Sequence, residues 1–136
     1  MLLNADQRMV QEAVRAFAQE QLWPNAAAWD KSHTFPVEAH RGLAALGCYG
    51  ICVPEDLGGA GMDYVSLAVV LEEIAAGDGG TSTVISVTNC PVNAILMKHG
   101  NAAQQAAGTI TRRTLTCTYR ISTPRPHDKF PVAEMH

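Results

Sequence analysis

Glycine, carboxylate, imidazole and thiol groups could do chemistry in this chain, and their spacing narrows the choices. Gly58-Gly59-Ala60-Gly61 is dense enough in glycine for a phosphate-cradling loop. It lacks the Lys-Ser/Thr of a P-loop, and the residues before it make no βαβ unit. A turn joining two packed segments is the better reading. Glu72 and Glu73 stand together mid-helix, where carboxylates are usually solvated or paired with a neighbouring domain; a catalytic base is the competing role. The five histidines (His33, His40, His99, His127, His136) show no ligand spacing, so no metal site is expected. The four cysteines (Cys48, Cys52, Cys90, Cys117) fit neither a zinc pattern nor a dense disulfide framework. They read as small buried thiols in a reducing compartment. No Ser–His–Asp arrangement is legible. No catalytic residue is assigned.

The elements that must hold these groups are helical. Asn4 is an N-cap for a helix over about 5–22, with Asp6 in its first turn complementing the dipole. Met9, Val10, Ala13, Val14, Phe17, Ala18 and Leu22 form its apolar stripe. The opposite face mixes both charge signs, which favours core packing over a membrane surface. Trp23-Pro24 stops the helix. A short helix over 24–30 follows, then a third over 37–46, with Gly47 as its stop. Residues 47–53 are short and apolar, and read as a buried extended segment. The Pro54–Gly61 stretch is a turn. Asp63 caps a helix carrying Leu67, Leu71, Ile74 and Ala75, and Gly77 is placed as its C′ glycine.

Residues 77–80 form a glycine break. Thr81–Asn89 is rich in β-branched residues, so propensity alone suggests a strand, while periodicity leaves helix and strand open. Pro91 either begins another helix or kinks this one. Val92, Ile95, Leu96 and His99 lie at helical spacing and Gly100 ends them. Asn101 with Gln104 opens a further helix. From Ala106 the pattern changes. Thr alternates with Ile, Leu and Tyr to 121, which permits a strand. Residues 122–127 are broken by prolines and expected to be disordered.

At 136 residues, 47% hydrophobic and 17% charged, the chain suits one soluble globular core. Its net charge of −3 suggests no nucleic-acid or anionic-membrane partner. Charge is uneven: residues 1–101 hold 5 Lys/Arg and 11 Asp/Glu, residues 102–136 hold 5 and 2. No apolar run approaches the ~18 residues of a membrane span. The start shows no secretory signal, so the cytoplasm is the default compartment.

Pro54-Glu55…Gly58-Gly59-Ala60-Gly61-Met62-Asp63, then Leu71-Glu72-Glu73-Ile74-Ala75, then Gly77-Asp78…Thr83…Ser86-Val87…Asn89 and His99-Gly100-Asn101 form an ordered series. The series resembles the amino-terminal helical domain of the acyl-CoA dehydrogenases over roughly residues 3–105. The resemblance implies an all-α fold, an irregular bundle of five to six helices over 1–105, and it makes Thr81–Asn89 a helix. Residues 106–136 are left as a non-matching basic tail, irregular or a short strand. A truncated or frame-shifted gene product would look like this, and so would a novel short tail.

The resemblance also implies an FAD-dependent desaturation of acyl-CoA thioesters, in fatty-acid or branched-chain acyl breakdown. A carboxylate removes an α-proton and the β-hydride passes to the flavin. Electrons leave to an electron-transfer flavoprotein, and the full-length parent is a homo-oligomer. In the family the base lies in the carboxy-terminal helical domain and most flavin contacts come from the β-domain. No Glu here inherits the base's role, and weak or absent FAD binding is expected of this chain. The helix at Ser82, Thr83, Ser86 and Val87 lines the deep end of the acyl pocket in the family, so these four are the candidate substrate-pocket residues. Their bland reading is that small residues let two helices approach closely. The alternative function is a stand-alone helical binding module without activity; a clean monomer with cooperative melting would support it, soluble aggregate a fragment.

Overall fold

The computed structural model describes residues 2–108, with side chains through Gln105. The tail expectations for 109–136 lie outside the described residues. Seven α-helices occur in order: α1 (Ala5–Phe17), α2 (Ala26–Ser32), α3 (Val37–Ala45), α4 (Tyr64–Gly77), α5 (Gly79–Val87), α6 (Ala94–His99) and α7 (Ala102–Gly108). A wider π turn carries α1 on to Leu22, where the Trp23 N–H reaches back five residues to the Ala18 carbonyl at 2.9 Å. A second π turn, Thr88–Asn93, joins α5 to α6 through Pro91, making one rod from 79 to 99. Counted as rods, the described residues hold six helices and no strand. None is long and apolar enough to cross a membrane.

α1 and α4 run parallel and in register. Asn4 and Gln7 cap α1 reciprocally, each side chain bonding the other's backbone N–H. Gln7 also donates to both oxygens of Asp63, the N-cap of α4, at 3.3 and 3.1 Å. Further along, Gln11 and Arg15 both donate to Glu73. At the far end Gly77 lies against α1: a Cβ there would stand 2.9 Å from Leu22 Cβ and 3.2 Å from Ala18 Cβ. Gly77 is therefore the last residue of α4, kept small by a close approach, rather than the expected C′ glycine. The expected four-residue break shrinks to Asp78, which ends α4 and caps α5 through its bond from Thr81 N at 2.8 Å.

Val14, Leu22, Leu43, Ile51, Val70, Ile74 and Ile85 are fully or almost fully buried in one cluster. Each large aliphatic side chain there contributes about 1.5–3 kcal/mol relative to exposure. Met9, Ala13 and Ala75, expected in the apolar stripes, are exposed instead. Met9 and Ala13 line an open cleft of about 1090 Å³ with Leu46 and the 58–63 loop.

Residues 47–53 are buried but not extended. Cys48–Gly50 is a 3₁₀ turn and Ile51 keeps helical dihedrals. The reason lies in the following loop. Ala60, Met62 and Gly61 donate their N–H groups to the carbonyls of Gly50, Ile51 and Val53, each at 2.8 Å. A curled segment presents those carbonyls to the loop. At Gly59 a Cβ would fall 2.0 Å from the Val53 oxygen, so only glycine fits.

Candidate functional site

α5 reads as a strand by composition and is a helix by context. Thr83 and Thr88 return their hydroxyls to the carbonyls four residues back, Gly79 at 3.0 Å and Val84 at 2.9 Å. These bonds satisfy β-branched hydroxyls without leaving the helix. Ile85 is fully buried and anchors the inner face. Asn89, also buried, accepts from Ile51 N at 3.0 Å and donates to the carbonyls of Cys48 at 2.8 Å and Ile85 at 3.0 Å. Asn93, one turn on, donates to Tyr49 O at 2.9 Å. The π turn thus clamps the 48–51 turn onto the long rod.

The four candidate residues do not share one environment. Ser82 turns inward: it is buried, and its hydroxyl donates to Leu71 O on α4 at 3.0 Å. Ser86 is half-buried, while Thr83 and Val87 are exposed. Thr83, Ser86 and Val87 lie within one arc of the helix, and Cys90, also exposed, extends the series by one turn. Neither of the two large clefts includes any of the four. The outer side of α5 thus presents Thr83, Ser86 and Val87 outside both large clefts.

The glycine-rich loop is no phosphate cradle. The N–H groups of Gly58, Gly59, Ala60 and Gly61 all go to backbone carbonyls, those of Glu55, Pro54, Gly50 and Val53. None remains for a pyrophosphate, so this loop does not fit one of the groups FAD would need held.

The acidic pair separates into two roles. Glu72 is exposed. Glu73 is buried and held by its own domain, neither solvated nor waiting for another: Arg15 Nε and Nη2 approach at 2.9 and 2.6 Å, and Gln11 Nε2 at 2.8 Å. The Arg15 hydrogen bond lowers the Glu73 carboxyl from its ordinary value, against burial, with Gln11 assisting. A carboxylate so fixed is a poor proton acceptor.

His40 was singled out by no motif. It is buried beneath Phe35, whose ring stacks on it at 4.4 Å, and its Nδ1 lies 2.6 Å from the Tyr49 hydroxyl. Burial lowers its tendency to take a proton, partly offset by the Asp78 charge. Its position between Ala39 and Leu43 on the buried face of α3 was the available signal. Among the described residues no group of three metal-ligating side chains gathers.

Residues 4–108 match the family described as acyl-CoA dehydrogenase, N-terminal domain. The human mitochondrial short-chain specific acyl-CoA dehydrogenase is 38% identical over 100 residues, covering 74% of this chain and 24% of that protein. A glutaryl-coenzyme A dehydrogenase solved as its glutaryl-CoA complex superposes with a TM-score of 0.74 at 31% identity, over 80% of this chain and 28% of that one. A solved chain described under the electron transferring flavoprotein of Acidaminococcus fermentans gives a TM-score of 0.75 at 28% identity, over 79% and 28%. The chain spans about a quarter of the length of the curated relatives it matches. On its helices, its loop and these likenesses, the chain belongs to the acyl-CoA dehydrogenase family, through that family's amino-terminal helical domain.

Proposed function

We propose that these helices wall the acyl pocket of an FAD-dependent enzyme that introduces a double bond α,β to an acyl-CoA thioester. The supporting observation is the outer face of α5, where Ser86, Thr83 and Val87 present small side chains on a helix fixed at both ends. Asp78 caps its start and Asn89 clamps its finish. Ser82 serves the same face indirectly, by bonding α5 to α4. The side chains at this face set how far an acyl chain extends. Each buried methylene is worth about 0.8 kcal/mol, so volume added at Ser86 selects against longer substrates.

Proton removal and flavin binding belong, on this reading, to the other domains of such an enzyme. The same holds for electron delivery to an electron-transfer flavoprotein and for assembly into a homo-oligomer. The 136 residues by themselves are then without desaturase activity. In an enzyme carrying this domain joined to the rest, Ser86→Leu should lower kcat/KM for the longest accepted acyl-CoA by about fourfold per displaced methylene. The shortest substrate should be spared. An equal loss for every chain length would remove Ser86 from the pocket. Separately, the purified 136-residue chain should show no visible flavin absorbance and no dye reduction with acyl-CoA. Activity proportional to its concentration would overturn the division of labour.

A further inference from the structure

The Asn89–Asn93 clamp joins two segments that each carry a thiol, Cys52 beside the 48–51 turn and Cys90 at the far end of the outer α5 arc. Cys52 follows the 48–51 turn directly and Cys90 follows Asn89 directly. Three side-chain bonds pin that turn to that stretch of helix: Ile51 N to Asn89 Oδ1 at 3.0 Å, Asn89 Nδ2 to Cys48 O at 2.8 Å, and Asn93 Nδ2 to Tyr49 O at 2.9 Å. Cys90 is exposed, Cys52 is half-buried, and both are free thiols. Cys48 is different: it is buried, and burial pushes its thiol up to about 12. The Cys52 thiol is raised chiefly by burial, then by Cys90 and by Asp63.

We propose that Cys52 and Cys90 form a redox-sensitive dithiol, whose oxidation ties the 48–53 turn to the 79–99 rod through a disulfide. The oxidant is a low-molecular-weight disulfide of the glutathione type. Cys90, the more accessible thiol, attacks one of its sulfurs as the thiolate and expels a small thiolate. Cys52 then attacks the mixed disulfide at the Cys90 sulfur and releases the second small thiol. The protein loses two electrons and two thiol protons, and the oxidant is reduced to two thiols. A bridge needs the two Cα atoms within roughly 7 Å, so its closure holds turn and rod at that separation. Cys90 lies four residues beyond Ser86, so the bridge stiffens the end of the outer face, though the pairing itself does not depend on any substrate.

The test uses the full 136-residue chain, reduced and then titrated with oxidised glutathione. Two of its four thiols should become unreactive and the intact mass should fall by two hydrogens. Proteolysis should yield one linked pair of peptides joining Cys52 and Cys90, and the oxidised form should melt at a higher temperature than the reduced form. Cys52→Ser and Cys90→Ser should each abolish the link, while Cys48→Ser keeps it. A bridge to Cys48 or Cys117, a persistent glutathione adduct without an internal bridge, or four free thiols under excess oxidant would each overturn the pairing. Mapping in the unsubstituted chain decides this even where a serine variant folds poorly.

Discussion

The seam between α1 and α4 and the outer face of α5 both carry small and polar residues, yet those residues are treated differently. Along the seam every named polar side chain meets a partner: Gln7 with Asp63, Gln11 and Arg15 with Glu73. Gly77 closes the last gap by having no side chain. On the outer face Val87 is 51% exposed, and Thr83 returns its hydroxyl to its own helix. A seam with its polar groups matched is built for stability. On the outer face of α5, among the described residues, no side chain bonds to another helix, and Thr83 bonds back to its own.

That contrast predicts where substitutions hurt. Asn89→Leu should be the most damaging, because it strands the Ile51 N–H and the Cys48 carbonyl in the interior. At about 1–3 kcal/mol for each unsatisfied group, the loss should be about 4 kcal/mol by denaturant titration. A loss under 1 kcal/mol would mean the clamp contributes little to the rod's placement.

Glu73→Ala should follow, at roughly 2 kcal/mol. It removes charge-assisted bonds, but the Arg15 side chain is 48% exposed and returns to water. The same pairing gives an acid dependence. The folded Glu73 carboxyl lies below its ordinary 4.5, so its contribution is present above that pH and lost as pH falls through the folded value. His40 acts earlier on the same descent. It is held below its ordinary 6.5, so the unfolded chain takes up that proton first and stability falls as pH drops below about 6.5. Melting temperature against pH should show both windows, and His40→Phe should flatten the upper one.

Thr83→Ala and Val87→Ala should be the mildest, within about 0.5 kcal/mol of the parent chain. Destabilisation beyond 1 kcal/mol at either site would show that the outer face supports the bundle, and would erase the distinction between face and seam.

Much of the helical layout was legible because its signals are local. Asn4, Asp63 and Asn101 were readable as caps, and all three accept the N–H bonds expected of them. The glycine-rich loop was readable as a turn from composition. The roles of Glu73 and Gly77 were not, since each is set by a residue far away in the chain, and the curl of residues 47–53 depends on how the 60–62 loop returns to it. Arg15 stands 58 residues from Glu73, and Leu22, which holds Gly77 small, lies on another helix. Ser82 and Ser86 differ only in which side of one helix they occupy, and that became visible once α4 was in place.

By itself the order of residues determined most of the helical segments and their caps, α5 and residues 47–53 excepted, because capping and periodicity operate within a few bonds. Tertiary structure decided which polar groups are matched and which stand open, because pairing depends on what another helix brings to the same place. In this domain that second decision separates the side chains bonded across the bundle, such as Glu73 and Asn89, from those left exposed, such as Thr83 and Val87.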